Sequence, residues 1–214
     1  MVKGAVFDMD GLMIDSERIV FENWVEIMAR RGYKFGRDIF CRVIGMRRAE
    51  TEHTLQGIYG DDFPFLDIAE ESHYMFIDKT KDGMPVKEGL FEIIEFLKQR
   101  GVPLAVATST RRPSAERALR LAGVIDKFDA IICGEDVTRG KPDPEIFLTA
   151  AERIGVKPSE CAVFEDSING VRAAHSAGML TVMVPDMQQP PDELLPMVDI
   201  LCGSLLDAIS YLDK

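Results

Sequence analysis

The chain has 214 residues, enough for one core with a sizeable insertion or two small domains, and its 46% hydrophobic and 29% charged residues are ordinary for a globular protein. Its formal net charge of −11 argues against nucleic acid as a partner, because a phosphate backbone needs a basic face. No apolar run is long enough to span a membrane and the sequence opens directly on a strand, so a cytoplasmic protein with no membrane partner is expected. An anionic small substrate stays open, provided a local cation receives it.

In chain order, the first element is the short apolar strand Ala5-Val6-Phe7 inside Gly4-Ala-Val-Phe-Asp8-Met-Asp10-Gly11. Strand side chains alternate faces, so Asp8 and Asp10 start on the same side, and Gly11 permits a tight turn behind them. Two anions this close repel unless a cation joins them or one takes up a proton. The step therefore points to a metal site or to an acid/base pair.

Residues from about 16 to 85 carry helical patterns and no strong strand. Ile19, Phe21, Trp24, Val25 and Met28 share a spacing in the first helix, and Ile68 to Ile77 form the last. Met and aromatic residues here are expected to build a local core. Gly83 and Pro85 mark the chain's return.

From about Gly89 onward strands and helices alternate. Leu90, Ile93, Ile94 and Leu97 lie at helical spacing; residues 103–107 form a strand; Pro113 opens a helix that Gly123 ends; residues 130–133 form another strand. A helix carrying Ile146, Phe147, Ala150, Ala151 and Ile154 on one face leads to the strand at 161–164. Then come a helix from Ile168, strands at 180–184 and 199–202, and a last helix from Leu205. This alternation predicts a parallel sheet covered on both faces. Cys41, Cys133, Cys161 and Cys202 show no paired spacing, which disfavours zinc and disulfide frameworks, and Cys133 and Cys161 read as small core residues.

Ligands bind at the carboxyl ends of strands in open parallel sheets. Right-handed crossovers place the ends bearing Asp8 and Asp10, Thr108-Ser109-Thr110, and Glu165-Asp166-Ser167 on one edge, with Lys141 in a loop on the same edge. The acids suit Mg²⁺ with room for water and a phosphate oxygen. Thr108 and nearby backbone N–H groups suit phosphate binding, and Lys141 charge neutralisation. A carboxylate beside a phosphoryl group can act as nucleophile, and a second as general acid and base. The bland alternatives are a helix cap at residues 108–110, a plain N-cap at Ser167, and a solvated Lys141.

These motifs, with Lys141-Pro142-Asp143-Pro144 and Asn169-Gly170, resemble the haloacid dehalogenase (HAD) superfamily of phosphohydrolases, and among them the β-phosphoglucomutase-like phosphatases. The resemblance implies an α/β fold: a Rossmann-like parallel-sheet core from residues 1–15 and 86–214, and a helical cap domain, residues 16–85, inserted after the first strand. It implies Asp8 as nucleophile and Mg²⁺ ligand, Asp10 as general acid/base and backbone ligand, Thr108 with Ser109 at the phosphate, Lys141 as charge stabiliser, and Glu165 and Asp166 on the metal side. Dehalogenases lack an acid at the position of Asp10, which favours phosphoryl transfer. Mutase members carry a histidine near the start of the first cap helix, where this chain has Val20. Within Gly45-Met46-Arg47-Arg48, Arg48 is the candidate for a second substrate group. His53, His73 and His175 match no catalytic motif. The expectation is a monomeric Mg²⁺-dependent phosphatase that hydrolyses a small phosphorylated metabolite, such as a sugar phosphate, through an aspartyl-phosphate. The alternatives are a phosphomutase of the β-phosphoglucomutase type, and a phospho-accepting receiver or binding module.

Overall fold

The computed structural model describes residues 2–44, 46 and 48–213. It divides into two compact units, Met1–Asp15 with Gly83–Lys214, and Ser16–Asp82.

The first unit is built on a six-stranded parallel sheet of order β3-β2-β1-β4-β5-β6, from β1 (Gly4–Phe7), β2 (Leu104–Ala107), β3 (Ala130–Ile132), β4 (Cys161–Glu165), β5 (Leu180–Met183) and β6 (Ile200–Leu201). The central strands read as continuous apolar runs because helices cover both faces: every residue of β1, β2 and β4 is buried. Register places Phe7 beside Val106 on one side and Phe164 on the other, and the Phe7 and Phe164 rings stack at 4.5 Å.

The inserted unit carries α1 (Ser16–Arg30), α2 (Arg37–Val43), α3 (Arg48–Tyr59) and α4 (Phe65–Lys79); the sheet unit carries α5 (Leu90–Gln99), α6 (Arg112–Leu121), α7 (Glu145–Arg153), α8 (Ile168–Ser176) and α9 (Leu205–Leu212). The helical spacings read from sequence are the buried faces: Leu90, Ile93, Ile94 and Leu97 in α5, and Ile146, Phe147, Ala150 and Ala151 in α7. Each such large apolar side chain contributes about 1.5–3 kcal/mol by leaving water.

The two edge strands are shorter than their apolar runs suggest. Cys133 leaves β3 because its N–H turns to the Asp136 carboxylate, 2.8 Å away, starting a 3₁₀ turn at Gly134–Asp136. The last strand keeps only Ile200 and Leu201; at Asp199 the side chain meets the neighbouring strand, its carboxylate accepting from the Thr181 N–H of β5 at 2.8 Å. Cys133 and Cys161 are buried in the core.

The inserted unit has its own core, in which Trp24, Ile27, Met28, Leu55, Phe63, Phe65 and Ile68 are buried and Val20 packs at the margin. Buried Asn23 ties α1 to α4 by donating to the Ser72 carbonyl at 3.2 Å. Among the described residues no helix is long and apolar enough to cross a membrane.

Candidate active site

The site is assembled at the carboxyl edge of the sheet. β1 ends at Phe7, but the Asp8 N–H still donates to the Phe164 carbonyl at 3.0 Å, so the sheet itself holds Asp8 in place. The chain then turns back on itself. The Met9 carbonyl accepts from the N–H groups of Met13 and Ile14, and Gly11 takes φ 82°, a region open to glycine at little cost. Asp10 therefore sits in a tight loop and not on a continuation of the strand.

Lys141 reaches this edge from the loop between β3 and α7. Glu145, the first residue of α7, accepts from the N–H groups of Thr138 (2.8 Å) and Arg139 (3.0 Å), while the Asp143 carboxylate accepts from the Glu145 N–H at 3.0 Å. These bonds satisfy the loop's backbone and fix the base of the lysine. Its side chain is only 6% exposed, so it is no solvated surface lysine. Nζ donates to Asp8 Oδ1 and to Glu165 Oε1, both at 2.5 Å, and lies 4.8 Å from the centre of the Phe147 ring.

Glu165 is fully buried at the end of β4. One carboxylate oxygen accepts from Lys141; the other accepts from the Ser167 N–H (2.8 Å) and hydroxyl (2.9 Å). Ser167 Oγ in turn accepts from the Gly170 N–H at 3.0 Å, capping α8. Ser167 is thus an N-cap as well as a partner of Glu165. A Cβ at Gly170 would lie 1.8 Å from Glu165 Oε1, so only glycine leaves room for this carboxylate. Gly170→Ala is expected to cost about 1–3 kcal/mol by overpacking and, by pushing Glu165 off Lys141, to lower turnover too. Thermal denaturation and steady-state rates on one preparation check both effects.

The electrostatics follow from two carboxylates sharing one ammonium out of water. Burial pushes the Asp8 carboxyl up to about 8; Lys141 opposes the shift, while Glu165 and Asp10 add to it. Burial alone would lower the Lys141 ammonium, but Asp8 and Glu165 outweigh it and hold the lysine above its ordinary range. A proton on Asp8 leaves Lys141, Glu165 and Asp8 together neutral.

The hydroxyl run after β2 faces the other acid. Thr110 Oγ1 donates to Asp10 Oδ2 at 2.7 Å, and Thr108 Oγ1 lies at 3.5 Å from the same oxygen while accepting from the Thr110 N–H at 3.0 Å. Ser109 is exposed. The α6 N-cap falls on Arg111, beyond the run, so the hydroxyls are not spent on capping that helix. The start of α6 is tied to β3 through Arg112, which donates to the Ile131 carbonyl at 3.1 Å and pairs with Asp136 at 2.5 Å.

Buried Asp166 follows Glu165, and its carboxylate comes within 4.8 Å of that of Asp186. Asp186 Oδ1 accepts from Lys87 at 2.6 Å, while Oδ2 is buried without a hydrogen-bond partner. Asp166 and Asp186 therefore lie close enough to share a hard cation, and buried Asp8 is a further oxygen donor beyond the end of β1. Both oxygens of Glu165 are already engaged, and Asp10 turns its carboxylate to Thr110.

In the inserted unit, the Arg48 guanidinium lies 6.0 Å from the Phe65 ring centre, at the outer limit of a cation–π contact. Gly45 and Arg47 fall outside the described residues. His53, His73 and His175 are exposed.

Residues 2–178 match the family model of the haloacid dehalogenase-like hydrolases. The chain belongs to that family. Among its HAD relatives, a phosphorylated carbohydrates phosphatase of Thermotoga maritima is 34% identical over 83% of this chain and 82% of its own. A β-phosphoglucomutase of Bacillus subtilis is 32% identical over 86% and 83%. A solved HAD family hydrolase from Deinococcus radiodurans, with bound phosphate and sodium, superposes with a TM-score of 0.82 at 25% identity, covering 99% of this chain and 95% of that one.

Two residues of this HAD hydrolase's edge receive no role of their own from the sequence. Asp186 was within reach of the strand-end rule, since Val184-Pro185-Asp186 directly follows β5. Thr110 stood in the hydroxyl run, but nothing in the spacing distinguishes its partner from that of Thr108.

Proposed function

We propose that this protein is a Mg²⁺-dependent phosphatase that hydrolyses a small phosphate monoester, a sugar phosphate or related metabolite, through an aspartyl-phosphate on Asp8. The observation that carries the reading is the buried Lys141 held between Asp8 and Glu165. A desolvated ammonium at a strand-end carboxylate suits the charge on a transferring phosphoryl group, and water exclusion strengthens it.

In the first half-reaction Asp8 attacks phosphorus, the bond from phosphorus to the ester oxygen breaks, and that oxygen takes a proton from Asp10. In the second, Asp10 removes a proton from water, the water oxygen attacks phosphorus, and the bond to Asp8 breaks, returning the carboxylate and releasing phosphate. Lys141 neutralises phosphoryl oxygens in both steps. Thr108, with exposed Ser109 beside it, donates to the phosphate. Glu165 acts by holding Lys141.

The donor chemistry fits a hard dication: buried carboxylates of Asp8 and Asp166 with an unpartnered oxygen of Asp186 nearby. The Asp10 backbone carbonyl would complete the set. When bound there, Mg²⁺ would keep Asp8 ionised and offset the negative charge that repels a phosphate.

Hydrolysis is favoured over mutase chemistry by Val20, which occupies the place of the mutase histidine and packs against apolar neighbours. The bound phosphate of the Deinococcus structure and the substrate class named for the Thermotoga relative support the same reading. Arg48 is proposed to contact a second group of the substrate. The test is phosphate release from a panel of sugar phosphates with and without chelator. Release without isomer formation, silenced by chelation and restored by Mg²⁺, is expected; isomerisation of a hexose phosphate or chelator-resistant turnover would contradict it. Because a dication displaces the proton on Asp8, Mg²⁺ uptake near neutral pH is also expected to release a proton, read by calorimetry in buffers of different ionisation enthalpy.

A further inference from the structure

We propose that Thr110 is the positioning residue of the proton-transferring carboxylate: its hydroxyl holds Asp10 in line with the leaving oxygen, leaving the Thr108 hydroxyl to the phosphate. The inference rests on the phosphatase reading and assigns a division of labour within that site.

A threonine hydroxyl has one proton to donate. Thr108 cannot give its proton to Asp10 and to a phosphoryl oxygen at once, and at 3.5 Å its approach to Asp10 is at the limit of a hydrogen bond. Thr110 makes the stronger contact, 2.7 Å to the same oxygen. Its own backbone N–H donates to Thr108 Oγ1 at 3.0 Å, which occupies a lone pair of that hydroxyl and points its proton away from residue 110. The two threonines are thus joined to each other, and of the two Thr110 is the one within firm hydrogen-bond distance of Asp10. Thr110 is only partly buried, while Thr108 is buried, so Thr110 is the more open of the two to solvent. When Asp10 has given its proton to the leaving oxygen it becomes a carboxylate. A hydrogen bond from Thr110 to that carboxylate is a bond to a charged group, among the stronger kinds.

A residue that acts through the leaving-group acid should matter only where the leaving group needs a proton. The experiment compares kcat/KM, which reports the steps through departure of that group, for a hexose 6-phosphate and for p-nitrophenyl phosphate, whose phenolate leaves unaided. Thr110→Val is expected to lower kcat/KM for the sugar phosphate about tenfold or more and for the aryl ester by less than about threefold, with Thr110→Ser restoring the sugar phosphate rate. Thr110→Ala gives the same comparison without the added bulk, should the valine variant fold poorly. Equal losses on both esters, or no loss on the sugar phosphate, would overturn the assignment. Asp10→Asn is run beside them. If it discriminates between the esters and the Thr110 variants do not, only the Thr110 proposal fails; if Asp10→Asn does not discriminate either, the role of Asp10 itself fails.

Discussion

Asp8→Asn is expected to lose turnover by about four orders of magnitude or more, while the protein stays folded. The amide keeps the shape of the side chain and can accept from Lys141, but it cannot attack phosphorus at a useful rate. Stability should change little, because Asp8 is a costly group in the fold. Its carboxyl is pushed up to about 8 from an ordinary 3.8, so the metal-free folded chain carries a proton there that the unfolded chain has lost. Stability of the metal-free wild type should therefore fall as pH rises from about 3.8 to about 8, and Asp8→Asn should flatten that slope. Circular dichroism melts across this range, beside rates on a phosphate ester, check both halves. Turnover within tenfold of wild type would remove Asp8 from its role.

Lys141→Ala is expected to harm both folding and catalysis. It removes the ammonium that Asp8 and Glu165 share and leaves two buried carboxylates facing each other. Breaking a buried pair from one side typically costs about 3–5 kcal/mol, because the remaining charge is uncompensated. Lys141 is the group that opposes the upward shift of Asp8, so without it the carboxyl rises further and the folded state holds its proton to higher pH. The stability gap between wild type and variant should hence stay level up to about pH 8, where Asp8 is protonated in both folded proteins, and widen above it. Denaturant titrations at several pH values measure it. A pH-independent gap, or a variant as stable as wild type, would mean that Lys141 is not the counter-charge of this cluster. Turnover should be lost at every pH, since Lys87, the other ammonium described on this edge, is bound to Asp186 and not to Asp8.

Much of this edge is legible in the amino-acid sequence. Short apolar runs alternating with helical spacings were enough for a parallel sheet, and the rule that ligands gather at strand ends then selected Asp8, Thr108, Glu165 and, by its loop, Lys141. Burial decides what the sequence could not. A lysine in a Pro- and Asp-rich loop looks solvated until the side chain is followed inward to Asp8. Glu165 and Asp166 are equivalent as letters, yet one has both oxygens engaged by Lys141 and Ser167 and the other lies beside Asp186. Alternation along a strand put Asp10 on the face of Asp8, but the strand ends at Phe7 and the Gly11 turn carries Asp10 toward Thr110. Short edge strands were overread for the same reason: the Asp199 carboxylate takes the Thr181 N–H of the neighbouring strand and the Cys133 N–H turns to nearby Asp136, which no apolar count records.

The claim on which the rest depends is that phosphorus is transferred twice, first to Asp8 and then to water. Hydrolysis of a phosphate ester made chiral with oxygen isotopes, in isotopically labelled water, tests it most directly. Two in-line displacements leave the configuration at phosphorus retained, which is the expected result. Inversion, the outcome of a single attack by water, would contradict it.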